Sequence, residues 1–139
     1  GRPGSKFPGK VIIQTYNPQN RILKLAAERD YKSFFNQEIE EKKALKLPPF
    51  GKIIKLVFQD YSRKKTETAA KEIFEMLQKS GVSQISEPQD CYVPKIRGRF
   101  RKQIVIKLKN TKEIPREIRK ILKALPSGWI VDVDPISII

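Results

Sequence analysis

Apolar positions recur along the chain at changing spacings, and each spacing predicts an element. Val11, Ile12 and Ile13 form a β-branched cluster suited to a short buried strand, closed by Asn17-Pro18. Ile22, Leu25 and Ala26, then Tyr31, Phe34, Phe35 and Ile39, fall at helical spacing and predict helices over residues 19–29 and 30–46. Leu47-Pro48-Pro49-Phe50-Gly51 breaks the pattern, because two prolines remove two N–H donors and fix two φ angles before a glycine frees the chain. A boundary is expected there, between residues 1–47 and 48–139.

Beyond the break, strand and helix signals alternate. Residues 52–59 put Ile54, Leu56 and Phe58 on one face and Lys55, Val57 and Gln59 on the other. A helix over 64–79 carries the stripe Ala69, Ala70, Ile73, Phe74 and Leu77 and ends at Ser80-Gly81. A weaker strand is expected around 82–93. Residues 101–109 alternate most clearly, with Ile104, Ile106 and Leu108 facing in and Gln103, Val105, Lys107 and Lys109 facing out. A helix over 112–125 has Ile114, Ile118, Ile121, Leu122 and Leu125 as its stripe, Pro126-Ser127-Gly128 stops it, and residues 129–134 form the last strand before Pro135. The order β-α-β-β-α-β predicts an α+β fold of the ferredoxin-like split type, with both helices on one sheet face and the other face open.

Composition narrows the chemistry. Lys and Arg total 29 against 15 acidic residues in 139, a net charge of +14 that calls for an anionic partner. One cysteine, Cys91, and no histidine leave no intrachain disulfide, Cys/His zinc site or Ser-His-Asp triad. No apolar run approaches the ~20 residues of a bilayer crossing, and the N-terminal stretch lacks the apolar core of a secretory signal, so a cytoplasmic location is expected. A binding module is favoured over an enzyme.

The strongest local signal lies between Lys95 and Lys109. Lys95, Arg97, Arg99, Arg101, Lys102, Lys107 and Lys109 are basic, and no acidic residue interrupts them. Arg99, Arg101, Gln103, Lys107 and Lys109 share one strand parity, so a strand reaching back to Arg99 would project them from the open face at ~6.6 Å intervals, comparable with a phosphate repeat. The plainer alternative is a solvated edge. Phe100 is available for base stacking, but Arg99 stands where an RNA-recognition motif would place its first aromatic. Gly98 suits a hairpin turn at positive φ or a close backbone approach to a ligand. Asp132 and Asp134 would share one face and suit magnesium, unless Lys55 on a neighbouring strand offsets them. Cys91 has no histidine to activate it, and Gly9-Lys10 and Gly51-Lys52 lack the remaining residues of a phosphate-binding loop.

Four segments together resemble a known family. Ile12-Ile13-Gln14-Thr15-Tyr16-Asn17-Pro18, Leu47-Pro48-Pro49-Phe50-Gly51, Arg97-Gly98-Arg99-Phe100-Arg101-Lys102-Gln103 and Asp132-Val133-Asp134-Pro135 occur in the order and spacing of the C-terminal end of the PriA-type primosomal helicases, or primosomal proteins N′. The resemblance implies a C-terminal fragment of an ATP-dependent 3′ to 5′ DNA helicase that restarts replication, binds structural zinc and uses magnesium-ATP. Neither its Walker motifs nor its zinc cysteines fall in this stretch, so the fragment is expected to bind and not to hydrolyse. Residues 1–47 would end the second helicase lobe, with Arg2 a remnant of helicase motif VI. Residues 48–139 would be a DNA-binding domain resembling a ribosomal small-subunit protein in fold. The family also docks the acidic tail of single-stranded-DNA-binding protein, which nominates Lys112 and Arg116.

Three functions follow: contact with forked or single-stranded DNA through Lys95–Lys109, docking of acidic tails or other primosome proteins, and binding of structured RNA. The motifs in residues 1–51 argue against the third.

Overall fold

Short polar side chains start the first helices. In the computed structural model, which describes residues 9, 11–82, 84–109 and 113–137, the Asn20 side chain accepts from the N–H groups of Ile22 and Leu23 and opens α1 (Arg21–Glu28). Arg29 closes α1 in the left-handed region at φ 59°. Asp30 then accepts the Ser33 N–H at 3.0 Å and the Phe34 N–H on its carbonyl, which starts α2 (Tyr31–Ala44). Hydrogen bonds from the Ser33 side chain, then from the Ser33 N–H and the Lys32 N–H, hold the Asp30 carboxyl below its ordinary value.

The chain divides into two compact units, Gly1–Glu40 and Glu41–Ile139. The second contains β1 (Gly51–Asp60), α3 (Arg63–Lys79), β2 (Gln89–Ile96), β3 (Arg99–Lys109), α4 (Arg116–Lys123) and β4 (Trp129–Val133). The described residues thus form an α+β structure with four helices and one four-stranded sheet of order β2-β3-β1-β4, antiparallel throughout. Gly51 begins β1 where a Cβ would collide with the carbonyls of Lys46 and Leu108, so only glycine lets the two backbones approach.

Strand alternation builds the core. Ile54 and Leu56 of β1 oppose Ile106 and Ile104 of β3, and all four are fully buried beneath Ile73 and Leu77 of α3 and Ile118 of α4. Each such side chain contributes about 1.5–3 kcal/mol of burial. Ser62 caps α3 by accepting the Lys65 N–H, and the buried Thr66 hydroxyl donates to the Ser62 carbonyl at 2.9 Å. On β4, the Trp129 ring lies 5.3 Å from that of Phe58 and packs on the same cluster.

Several expectations need correction. Val11, Ile12 and Ile13 form no strand and stand 69%, 82% and 48% exposed, because a strand needs a paired neighbour and none of the described residues pairs with them. The weak strand over 82–93 lies later, at Gln89–Ile96, with only an isolated bridge from Ile85 to Ile106 before it. The second helix of the α+β unit begins at Arg116 and not at 112, because Pro115 lacks an N–H and disfavours helical geometry at Ile114, so it serves as the N-cap. The face opposite the helices is not open along its length. Ile53, Val57 and Gln103, which alternation places there, are 7%, 5% and 4% exposed, and Val57 lies opposite Gln103 in the register.

Candidate nucleic-acid interface

The basic segment is organised by a two-residue hairpin. Arg97 and Gly98 take φ values of 48° and 81°, the two positive angles of the turn type that matches strand twist, and Ile96 opposes Arg99 directly across it. Of the two readings of Gly98, the hairpin turn is the one observed. The strand therefore starts at Arg99. Pairing of Asp60 with Phe100 brings the end of β1 alongside the turn, so that a Cβ on Gly98 would lie 3.5 Å from the Tyr61 ring. The Arg99 guanidinium carbon sits 5.0 Å from the centre of that ring, and Tyr61 is 67% exposed.

The predicted residues in this region have unequal freedom. Arg97 and Arg99 are exposed, and Arg101 is half-buried with a guanidinium N–H directed to the Val93 carbonyl at 3.4 Å. Lys95 is exposed and holds its ammonium 4.7 Å from the centre of the Phe100 ring. Phe100 and Lys102 have the parity of Ile104 and so belong to the helix side of the sheet. There Lys102 pairs with Asp90 at 3.0 Å and keeps only 19% side-chain exposure. Its charge is already offset, and a cleft of ≈ 120 Å³ lined in part by Lys95, Phe100 and Lys102 opens beside it.

Lys107 and Lys109 lie toward the other end of β3, about 27 and 34 Å from Arg99 along an extended strand. Between the two ends the shared parity row passes through buried Gln103 and half-buried Val105, so it forms two basic groups and not one continuous line. At the far end, Lys107, Lys109 and Arg116 rim a cleft of ≈ 370 Å³ floored by Val82, Leu108 and Ile118. Lys112 and Arg2 lie outside the described residues.

Other candidates resolve into structural roles. Asp134 falls just beyond β4 at φ 53°, where its carboxylate accepts the Ile53 N–H at 3.0 Å and pairs with Lys52 at 3.1 Å. Asp132 lies opposite Lys55 in the register. No group of three metal-ligating side chains occurs among the described residues. Cys91 is buried, and burial pushes its thiol up against the opposing pull of Arg101 and Lys55. No helix among the described residues is long and apolar enough to cross a membrane.

The sequence reading missed two features. Tyr61 follows a strand without any motif, and only the register that sets Asp60 opposite Phe100 brings it to the hairpin. On α4, Arg116, Arg119, Lys120 and Lys123 line one cleft of ≈ 650 Å³; their i, i+3, i+4, i+7 spacing was the available signal.

Comparison with known proteins gives one family. Residues 43–136 match the family described as the primosomal protein N C-terminal domain. The chain is 30% identical over 135 residues to the replication restart protein PriA of Thermotoga maritima, covering 97% of this chain and 18% of the relative. Its Chlamydia trachomatis counterpart is 32% identical over 146 residues, covering 99% and 19%, and that of Treponema pallidum is 32% identical over 137 residues, covering 94% and 21%. The chain thus spans about a fifth of the length of the curated relatives it matches. With the family match covering more than half of its residues, the chain belongs to the primosomal protein N C-terminal domain family, that of the replication restart proteins PriA.

Proposed function

We propose that the chain is the DNA-binding C-terminal portion of a replication-restart, ATP-dependent 3′ to 5′ DNA helicase, and that it contacts the phosphates of forked or single-stranded DNA without hydrolysing ATP itself. The observation that carries this reading is the hairpin end, where Lys95 lies over the Phe100 ring and Arg99 over the Tyr61 ring, Arg97 stands exposed in the turn between them, Arg101 follows on β3, and the nearby acids are engaged: Asp90 with Lys102, Asp60 with the Ser62 N–H. Phosphate contact there is electrostatic and tolerant of sequence. The strand order β2-β3-β1-β4 with helices between β1 and β2 and between β3 and β4 supports the ferredoxin-like arrangement. Residues 1–47 are assigned to the end of the second helicase lobe. ATP, magnesium and zinc belong to the rest of the parent protein, whose place of action is the cytoplasm.

Titration of the chain against forked, single-stranded and duplex DNA over a range of salt tests the reading. Four engaged cations predict a log–log slope of about −3 on single strands. Salt-independent binding, or none at low salt, overturns it.

The cleft rimmed by Lys107, Lys109 and Arg116 favours a second reading, docking of an acidic peptide with an apolar end, such as the tail of single-stranded-DNA-binding protein. Lys112 is nominated with Arg116 from the sequence. Loss of binding of such a peptide in Lys109→Glu/Arg116→Glu, with DNA binding retained, would support it.

A further inference from the structure

We propose that Tyr61 is a stacking platform for an unpaired nucleobase. The inference rests on the DNA-binding reading and deepens it by naming the ligand class at the hairpin end: a single-stranded segment or the unpaired base at a branch. Tyr61 is not a core residue, at 67% exposure, and it occupies the junction between β1 and the Ser62 cap of α3, which fixes its backbone. The Gly98 turn lies beside its ring, and Arg99 stands 5.0 Å from the ring centre. A ring so placed costs little further ordering when a base stacks on it, while Arg97 and Arg99 offer cations for the adjoining phosphates. A base within a duplex is already stacked on its neighbours, so the platform selects unpaired bases. Tyr92, more exposed at 80% but with no cation over its ring among the described residues, provides the internal comparison.

The test uses the whole chain, with fluorescence anisotropy on single-stranded, forked and fully duplex DNA at several salt concentrations. Tyr61→Leu is expected to weaken single-strand and fork binding by about fivefold to a hundredfold. It should leave duplex affinity and the salt slope unchanged, because stacking releases no counterions. Tyr61→Phe should retain wild-type affinity, Tyr92→Leu should change little, and emission of a single strand containing 2-aminopurine should respond to the wild type but not to Tyr61→Leu. If Tyr61→Leu binds like the wild type while Arg99→Glu is weakened, stacking is wrong and the phosphate reading stands. If Tyr61→Leu loses duplex and single-strand binding alike, Tyr61 acts through the fold and the proposal is overturned. Absence of wild-type binding to any DNA at low salt overturns both.

Discussion

Arg99 and Lys102 lie three positions apart, yet they have different surroundings. Arg99 is exposed beside Tyr61, whereas Lys102 is folded onto Asp90 on the helix side. Truncation to alanine should therefore separate them: Arg99→Ala is expected to weaken DNA binding severalfold and lower the salt slope by roughly 0.7–0.9, and Lys102→Ala to leave both nearly unchanged. Equal losses in the two variants would contradict the assignment. Gly98 sets the geometry that makes the difference, because a side chain at φ 81° is strained. Gly98→Ala should cost about 1 kcal/mol or more in urea unfolding. The parity of the basic residues was legible in the sequence, and so was the turn. What alternation could not show was that Ile53, Val57 and Gln103, on the face it reads as open, are buried, which breaks the row at Gln103. Tyr61 was illegible for another reason: its significance depends on which strand β1 pairs with, and that is a non-local fact.

At the scale of elements, boundaries follow caps more than hydrophobic stripes. Ile114, Ile118, Ile121 and Leu122 are correctly spaced for a helix, but Pro115 decides that it starts at Arg116. The stripe of α3 and its end before Ser80-Gly81 were readable in the sequence, whereas its Ser62 cap appears only in the structure. Ser62→Ala should cost about 1 kcal/mol, read as a lower urea midpoint with unchanged slope. Asp30 gives α2 a pH dependence whose sign is fixed by the depressed carboxyl. Its hydrogen bond to Ser33 is present above the ordinary carboxylate value of 3.8 and is lost as the pH falls through the lower folded value. An NMR titration should find Asp30 below 3.8, and Asp30→Ala should remove that acid-side contribution to helix content. A midpoint at or above 3.8 would show that the cap does not form.

For the whole molecule, both units expose apolar side chains, and the basic hairpin belongs to the second. The unit Glu41–Ile139 carries the hairpin and the α4 cleft; Val11, Ile12, Tyr16 and Tyr31 stand exposed in Gly1–Glu40, as Leu45, Tyr61, Tyr92 and Ile136 do in the second unit. Family membership was legible because four motifs are spread over most of the chain, three of them marking a feature a local pattern can encode: Gly51 at a close approach, Gly98 in a turn, Asp134 bonded to the start of β1. The strand expected at Val11–Ile13 was not realised, since a β-branched run specifies a propensity and not a partner. A net charge of +14 predicts an anionic ligand but does not say where it binds. The basic row divides into two groups toward opposite ends of β3, and the proposed contact is the one at the hairpin.

The most direct measurement is the salt dependence of fork binding by the wild type beside Arg97→Glu/Arg99→Glu/Arg101→Glu. The account predicts tight binding at low salt that falls linearly on a log–log plot, with affinity collapsing and the slope flattening by about 2 to 3 in the variant. Equal affinity and equal slope in the two proteins would contradict it and move the interface away from the hairpin.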